Sequence, residues 1–491
     1  MTCWSKTRAF FRFLTVEPVG WLVFASISLA QTVLPEAKKE KMLQVYGYTL
    51  PFDATEKQRE KLYQGKIVDW SIYSMCVNFP VAIPVTIVLG AMGDRYGRQV
   101  NILWGIVGMS ISILGWLIVY TDALETPLWV DLPFSLLTAF GGDYFITFIS
   151  SQAFLADITR DHSYLAIRTN ILAGFRALGA ITGNLLAGAV QFKWGFGLAM
   201  DVSLLFAVFA FFYTLFAIPQ VPPRLFKRLR HPSLPQDEEE EEKEQSFKDV
   251  MRGILKSFKE TWITFSKKRD GHKRAFVVSV SILQFVTVLS SMEMHSLISL
   301  YTLREPFCWG PSELGNFKTV QILLATIGGT IGVIVFKKHL KMLDTTVVVI
   351  SLISQAAAML PIAFASHNWE MELSNVLGMF SGITSSTLVA FVATLVEKHE
   401  IGKIYTAFAM TSFFGLIIQQ YVLQKVYIWS LDFWPGFMWI LLFALECICV
   451  LIMLAIHILA KRERVEAAAT QPIIIEDSDV PTPETSTIQD T

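Results

Sequence analysis

Long apolar runs separated by short polar breaks organise this chain. Twelve stretches approach the length of about 20 mostly apolar residues that a helix needs to cross a bilayer. They fall at roughly 18–35, 70–93, 100–121, 130–156, 169–191, 199–219, 274–303, 316–336, 345–364, 372–396, 404–424 and 433–460. The pattern predicts an all-α membrane protein of twelve transmembrane helices. No small-residue cleavage site follows the first run, so it reads as a span rather than a removed leader.

Polar stretches divide the runs six and six. Residues 220–273 open on a Pro- and Arg-rich segment, pass through the acidic run DEEEEEKE and turn basic. Such a like-charge run stays solvated. The expected domains are a cytoplasmic N-terminus at 1–17, a six-helix half at 18–219, a charged cytoplasmic linker at 220–273, a second six-helix half at 274–460 and a disordered cytoplasmic tail at 461–491. Lys6, Arg8, Arg12, Arg95, Arg98, Arg160, Lys337, Lys338 and Lys398 would share one side, against Lys193, Arg304 and Lys425 on the other. By the positive-inside rule both termini are then cytoplasmic. Residues 36–68 read as a long outer loop of mixed charge.

Composition agrees with the lipid bilayer as the main partner. The chain is 53% hydrophobic and only 17% charged, with a mean hydropathy of +0.47, which excludes a soluble protein of this length. A net charge of −1 says nothing about partners, and nothing suggests nucleic acid. The five cysteines have no metal-ligand spacing with histidines, so no metal is expected. There is no cofactor motif, no phosphate-binding GxxxxGK[ST], no HExxH and no Ser-His-Asp set, so neither an ATP-driven pump nor an enzyme is expected.

Charged groups inside lipid are costly and usually face a cavity or a partner. Five sites stand out. Asp143, in the fourth segment, is either an acid in a water-filled cavity or a buried structural acid. Arg176 lies eight residues past Arg168 in the fifth, about 12 Å deeper. It could bind an anionic group, pair with Asp143 or snorkel. Glu446, in the twelfth, reads chiefly as a packing residue. Glu293 and His295, in the seventh, are two positions apart and point about 200° from one another on a helix. His295 instead shares a face with Ser291 and Ser299, as a substrate contact or a proton-responsive group. Glu293 faces elsewhere and could bind a proton. Gln284, Gln321, Gln355, Asn375 and Gln419 are further cavity candidates.

The stretch GAMGDRYGRQ, Gly90 to Gln99, resembles the loop signature of the major facilitator superfamily in Gly90, Asp94, Arg95, Gly97 and Arg98. Gly90 would permit close helix contact and Gly97 a tight turn. Asp94 would hold a neighbouring helix terminus and an arginine, a lock that releases when the protein changes state. Asp157 and Arg168 are assigned to the connection between the fourth and fifth helices.

Further stretches resemble the proton-coupled folate transporter family, solute carrier family 46. They are FLTVEP (13–18), GGDYFITFISSQAFLAD (141–157), ALGAITGNLLAG (177–188) and LYTLREPFCWG (300–310). The resemblance implies a two-half transporter fold. It also exposes departures. Ala173 stands where that family carries a proton-coupling glutamate, Ser291 where it carries a histidine, and the tenth segment lacks its arginine. Cys308 matches a disulfide cysteine, but 36–68 offers it no partner. Fold and transport therefore carry over; folate does not.

The expectation is a secondary active transporter of a small organic solute by alternating access. Whether the solute is anionic and whether protons are coupled stay open, as does the choice between plasma and endolysosomal membrane. The alternative is a non-transporting receptor or signalling scaffold of the same fold.

Overall fold

A computed structural model describes residues 15–51, 53–121, 125–159, 162–220, 272–396, 414–415 and 417–462. Most of the expected N-terminus, linker and tail lies outside the described residues, as does most of the eleventh segment. Every regular element described is helical. Before the linker come α1 (Glu17–Tyr46), α2 (Glu56–Tyr96), α3 (Arg98–Tyr120), α4 (Asp131–Phe140), α5 (Asp143–Ile158) and α6 (His162–Ala217). After it come α7 (Lys273–Tyr301), α8 (Pro311–Val333), α9 (Asp344–Phe364), α10 (Asn368–Leu377), α11 (Thr384–Leu395), α12 (Gln424–Ser430) and α13 (Phe437–Arg462).

Ten described runs are long and apolar enough to cross a membrane. One of them, Ile167–Ala217, has 51 residues, about 75 Å of helix against a hydrocarbon core of about 30 Å. It turns at Gly195 (φ 82°, ψ 178°) and holds two of the expected segments. The ten runs thus hold eleven of the twelve expected segments, and the other, 404–424, lies mostly outside the described residues, so the count is consistent with twelve crossings.

Three boundaries differ from the apolar pattern, each for a physical reason. First, 36–68 is not a loop. Helix α1 continues through Pro35 to Tyr46, and α2 starts at Glu56 behind a capping box of Thr55 and Gln58. The polar extension survives because its side chains find partners on packed neighbours. Lys39 lies over the Tyr63 ring and Lys66 over Tyr46, while Trp70 donates to the Tyr46 hydroxyl. Hydropathy measures membrane depth, not helix length.

Second, the fourth segment is broken. A Cβ on Gly141 would sit 2.3 Å from the Gly108 Cα, and Gly142 adopts φ 71°, a left-handed conformation that favours glycine. The helix stops at Phe140 and restarts at Asp143. The tenth segment breaks likewise between Leu377 and Thr384. Non-helical backbone at membrane depth persists only where it is buried in protein or lines a cavity.

Third, Asp157 and Arg168 are not loop residues. Asp157 closes α5, and Arg168 lies within α6. Arg168 is not interfacial either; it is 6% exposed and donates to Glu17 Oε1 at 3.1 Å and to Thr15 Oγ1 at 3.0 Å. Glu17 has no exposure at all.

The helices before and after the linker meet at the end that carries the α1–α2 connection. Lys39 Nζ and Tyr63 Oη donate to the Leu303 carbonyl, Gln64 Nε2 to that of Leu300 and Lys57 Nζ to that of Asp432. The Glu305 amide donates to Glu60 Oε1. Ion pairs Lys61–Asp432 and Lys425–Asp69 span the same seam. Deeper along it, a Cβ on Gly315 would lie 2.3 Å from the Asn184 carbonyl oxygen, so α8 and α6 touch backbone to backbone. At the opposite end the pairs Glu17–Arg168, Arg98–Asp157 and Lys337–Asp344 each stay within one set of helices.

Breaking a buried pair leaves an uncompensated charge, at a cost of about 3–5 kcal/mol. Glu17→Gln and Arg168→Gln should each lower the thermal midpoint of the purified protein markedly, and the double variant should recover most of the loss. Single variants that melt like the wild type would show that the pair is not what holds α1 to α6.

Candidate functional site

The GAMGDRYGRQ segment ends α2 and starts α3. Gly97 sits between them at φ 113°, so the chain reverses within one residue. Arg98, the first residue of α3, donates from Nε to Asp157 Oδ2 at 3.1 Å and so ties this corner to the end of α5. The side chains of Asp94 and Arg95 lie outside the described residues. Among the described residues Gly90 does not make the expected close contact: a Cβ there would meet nothing within 4 Å. The close approach belongs to Gly93, where a Cβ would come within 2.4 Å of Asn101 Nδ2. The neighbour that needs room is a side chain of α3, one turn further along.

Asp143 opens α5 directly after the left-handed Gly142; its side chain, and with it the expected pairing with Arg176, lies outside the described residues. Arg176 does not snorkel. It is 7% exposed, donates from Nη2 to the Phe148 carbonyl at 3.2 Å, and lies over the rings of Phe148 and Phe24, at 4.0 and 5.9 Å from their centres. A weakly hydrated guanidinium stacks well on aromatic faces.

Besides a pocket of about 310 Å³ among the charged seam residues Lys57, Glu60, Lys61, Arg304 and Glu305, two further cavities carry polar chemistry. One, of about 340 Å³, is lined by α1–α4 and Gln420. Its charges, Lys38 and Asp131, act on one another, and Asp131 Oδ2 also accepts from Ser74 Oγ at 2.7 Å. That charge is matched internally.

The other, of about 220 Å³, is enclosed by α7–α10 and the turn before α11. Ser291 and His295, one turn apart on α7, both line it, facing Gln321 of α8, Gln355 of α9 and Asn375 of α10. His295 is exposed into this space. Ser299, on the same stripe, is half-buried and outside the lining. Glu293 points away, as its spacing requires. It has no exposure and accepts from Gln419 Nε2 at 2.8 Å, while its other oxygen accepts no hydrogen bond among the described residues.

Sequence reasoning missed one group here and read another chiefly as packing. Lys318, in the second turn of α8, lies three residues before Gln321 and so on the same face. It is half-buried, and its charge reaches His295. Among the described residues it joins no ion pair. The signal was present: a lysine inside the apolar run 316–336. Glu446, read from the sequence as a packing residue, is fully buried and accepts from Gln355 Nε2 at 3.0 Å. The same nitrogen donates to Ser291 Oγ at 3.1 Å, which connects Glu446 to the cavity wall. The cavity thus presents neutral hydroxyls and amides, one histidine and one nearby ammonium.

The sequence profile of the Major Facilitator Superfamily matches residues 68–420. Among curated proteins, the chain is 21% identical over 360 residues to the Drosophila melanogaster "Probable peptidoglycan muropeptide transporter SLC46", covering 71% of this chain and 65% of that protein. It is 25% identical to the Gallus gallus "Lysosomal proton-coupled steroid conjugate and bile acid symporter SLC46A3", over 87% of this chain and 90% of the relative. It is 22% identical to the Rattus norvegicus "Proton-coupled folate transporter", over 76% and 75%. Among solved structures, the human organic anion transporter MFSD10 (TETRAN) superposes with a TM-score of 0.57 at 14% identity, covering 89% of this chain and 98% of that one. A POT family transporter in complex with 5-aminolevulinic acid gives 0.58 at 12%, covering 90% and 96%. At these identities the superpositions establish the fold.

An amide can replace the Glu293 carboxyl and still accept from Gln419; a leucine cannot. Leaving the Gln419 amide buried without an acceptor costs about 1–3 kcal/mol. Glu293→Gln should therefore melt near the wild type and Glu293→Leu clearly below it. Equal midpoints for the two variants would show that the Gln419 bond does not hold α7 in place.

Proposed function

The chain belongs to the Major Facilitator Superfamily, and from that membership we propose that it is a multi-pass secondary active transporter moving a small organic solute by alternating access of its two sets of helices. The observation that carries this reading is the asymmetry of the seam. At one end the sets are bonded across it by Lys39, Lys57, Tyr63 and Gln64, and at the other the described ion pairs each stay within one set. Basic residues favour a cytoplasmic placement of that second end, which makes the state one that opens inward. The lysosomal label of the chicken relative favours an endolysosomal membrane over the plasma membrane.

An anionic solute is favoured by Lys318. Its charge reaches His295 in the cavity wall, and the amides of Gln321, Gln355 and Asn375 there can orient the rest of the molecule. Proton coupling is supported by the names of the chicken and rat relatives and by Glu293, a carboxyl fully buried behind the cavity wall. The side chains at 173 and 291 differ from those of the folate transporter family, which argues against folate.

Purified protein in liposomes should take up at least one of three radiolabelled probes, a muramyl dipeptide, a steroid sulfate or folate, faster under a pH gradient than without one. Binding of a probe with no flux under any gradient would instead support the receptor reading. For an anionic probe that is carried, Lys318→Gln should weaken apparent affinity roughly 10- to 100-fold, the range expected for one charge-assisted hydrogen bond of about 1.5–3 kcal/mol. Lys318→Arg should retain most of it. An unchanged affinity in Lys318→Gln would remove Lys318 from the site.

A further inference from the structure

Gln355 joins the 220 Å³ cavity to a carboxylate sealed behind it. The residue lines the cavity from α9 and is 3% exposed. Its Nε2 donates to Ser291 Oγ at 3.1 Å, to Glu446 Oε1 at 3.0 Å and, weakly, to the Thr287 carbonyl at 3.4 Å. An amide nitrogen carries two hydrogens. Three acceptors therefore compete for two N–H bonds. The buried Ser290 hydroxyl of α7 lies near Glu446, but among the described residues neither it nor Glu446 Oε2 completes a hydrogen bond.

The charges around Glu446 do not compensate it. From α9 the only ionisable group is Asp344, at the helix start, where it pairs with Lys337. From α7, Glu293 is also acidic and bonds Gln419, while His295 faces the cavity. From α12, Lys425 is engaged with Asp69 at the closed end. On α13 itself, Cys447 and Cys449 follow Glu446, and His457 lies eleven residues on, about 16 Å away, bonded to Thr345. Lys461 and Arg462 end that helix. An ionised carboxylate at this depth, met among the described residues only by a neutral amide, is costly, and a bound proton removes the cost.

We propose that Glu446 is a proton-carrying site read out by the cavity through Gln355. A solute acceptor, a carbonyl or carboxylate oxygen, takes an N–H of Gln355. Glu446 then loses its amide donor and takes a proton from cavity water. When the solute leaves, the amide returns to Glu446 and the proton returns to water. The coupling is reciprocal: a proton on Glu446 strengthens binding of such solutes by the factor by which they favour its uptake. Gln355 acts as the positioning residue. This mechanism rests on the transporter reading, but its proton site can be tested without any transported solute.

Infrared difference spectra of the full-length protein in lipid nanodiscs, recorded between acid and alkaline buffer, supply that test. The wild type should show a deuterium-sensitive C=O band of a protonated carboxyl that bleaches as pH rises. The component of the band that belongs to Glu446 should vanish in Glu446→Gln, persist in Glu446→Asp and Glu293→Gln, and shift in Gln355→Leu. A band unchanged in Glu446→Gln, or no titrating band in the wild type, would overturn the assignment. Should Glu446→Gln fail to fold, Gln355→Leu decides alone, and an unshifted band there overturns it. Failure of liposome uptake would refute the transport reading while leaving the spectra to judge the proton site.

Discussion

Hydrocarbon supplies neither hydrogen bonds nor screening, so a polar group within it depends on what its own chain brings alongside. In this protein that requirement is met by pairs drawn from different helices. Glu17 of α1 meets Arg168 of α6, Arg176 of α6 meets the carbonyl and ring of Phe148 on α5, and Glu446 of α13 meets Gln355 of α9. Each pair fixes a helix contact that apolar packing alone would leave free to slide, because lipid tails are as apolar as leucine. The pairs with surplus acceptors, at Glu293 and Glu446, are the ones next to the cavity. Glu17 and Arg168, before the linker, compensate one another, whereas the carboxyls of Glu293 and Glu446, after it, each keep an oxygen without a hydrogen bond among the described residues.

The seam between the two sets follows a different rule. It sits at an end of the bundle where water can compete, and ion pairs as exposed as Lys61–Asp432 are worth little singly. What holds that end is number and variety, with lysines, a tyrosine and a glutamine meeting carbonyls, reinforced by the glycine contact between α8 and α6. A closure made of many weak bonds can be exchanged for another at modest cost, as alternating access requires.

Much of this was legible in the sequence. Apolar runs reveal membrane crossings because the bilayer selects for length, and the GAMGDRYGRQ spacing marked the corner where Gly97 reverses the chain. The two-residue offset of Glu293 and His295 was enough to separate their faces. What could not be read was depth and partnership. Arg168 looked interfacial because its partner, Glu17, lies 151 residues away at the very start of the first span. Glu446 looked like packing because nothing in the twelfth segment reveals that Gln355 faces it. Lys318 was hidden by an apolar window that averages a single charge away. The breaks at Gly141–Gly142 and between Leu377 and Thr384 escaped because hydropathy does not register backbone direction.

The contacts that close the seam have a lopsided chemistry. Lys39, Lys57, Tyr63 and Gln64 use their side chains, whereas Leu300, Leu303 and Asp432 answer with main-chain carbonyls and Glu305 with its main-chain amide. A main-chain group survives almost any replacement of the residue that bears it. The two sides of the seam should consequently drift at different rates among related chains. The 300–305 positions are free to vary in side chain for this purpose and Asp432 is bound only by the carboxylate that meets Lys61, while the early turns of α2 carry the record of how firmly each descendant shuts.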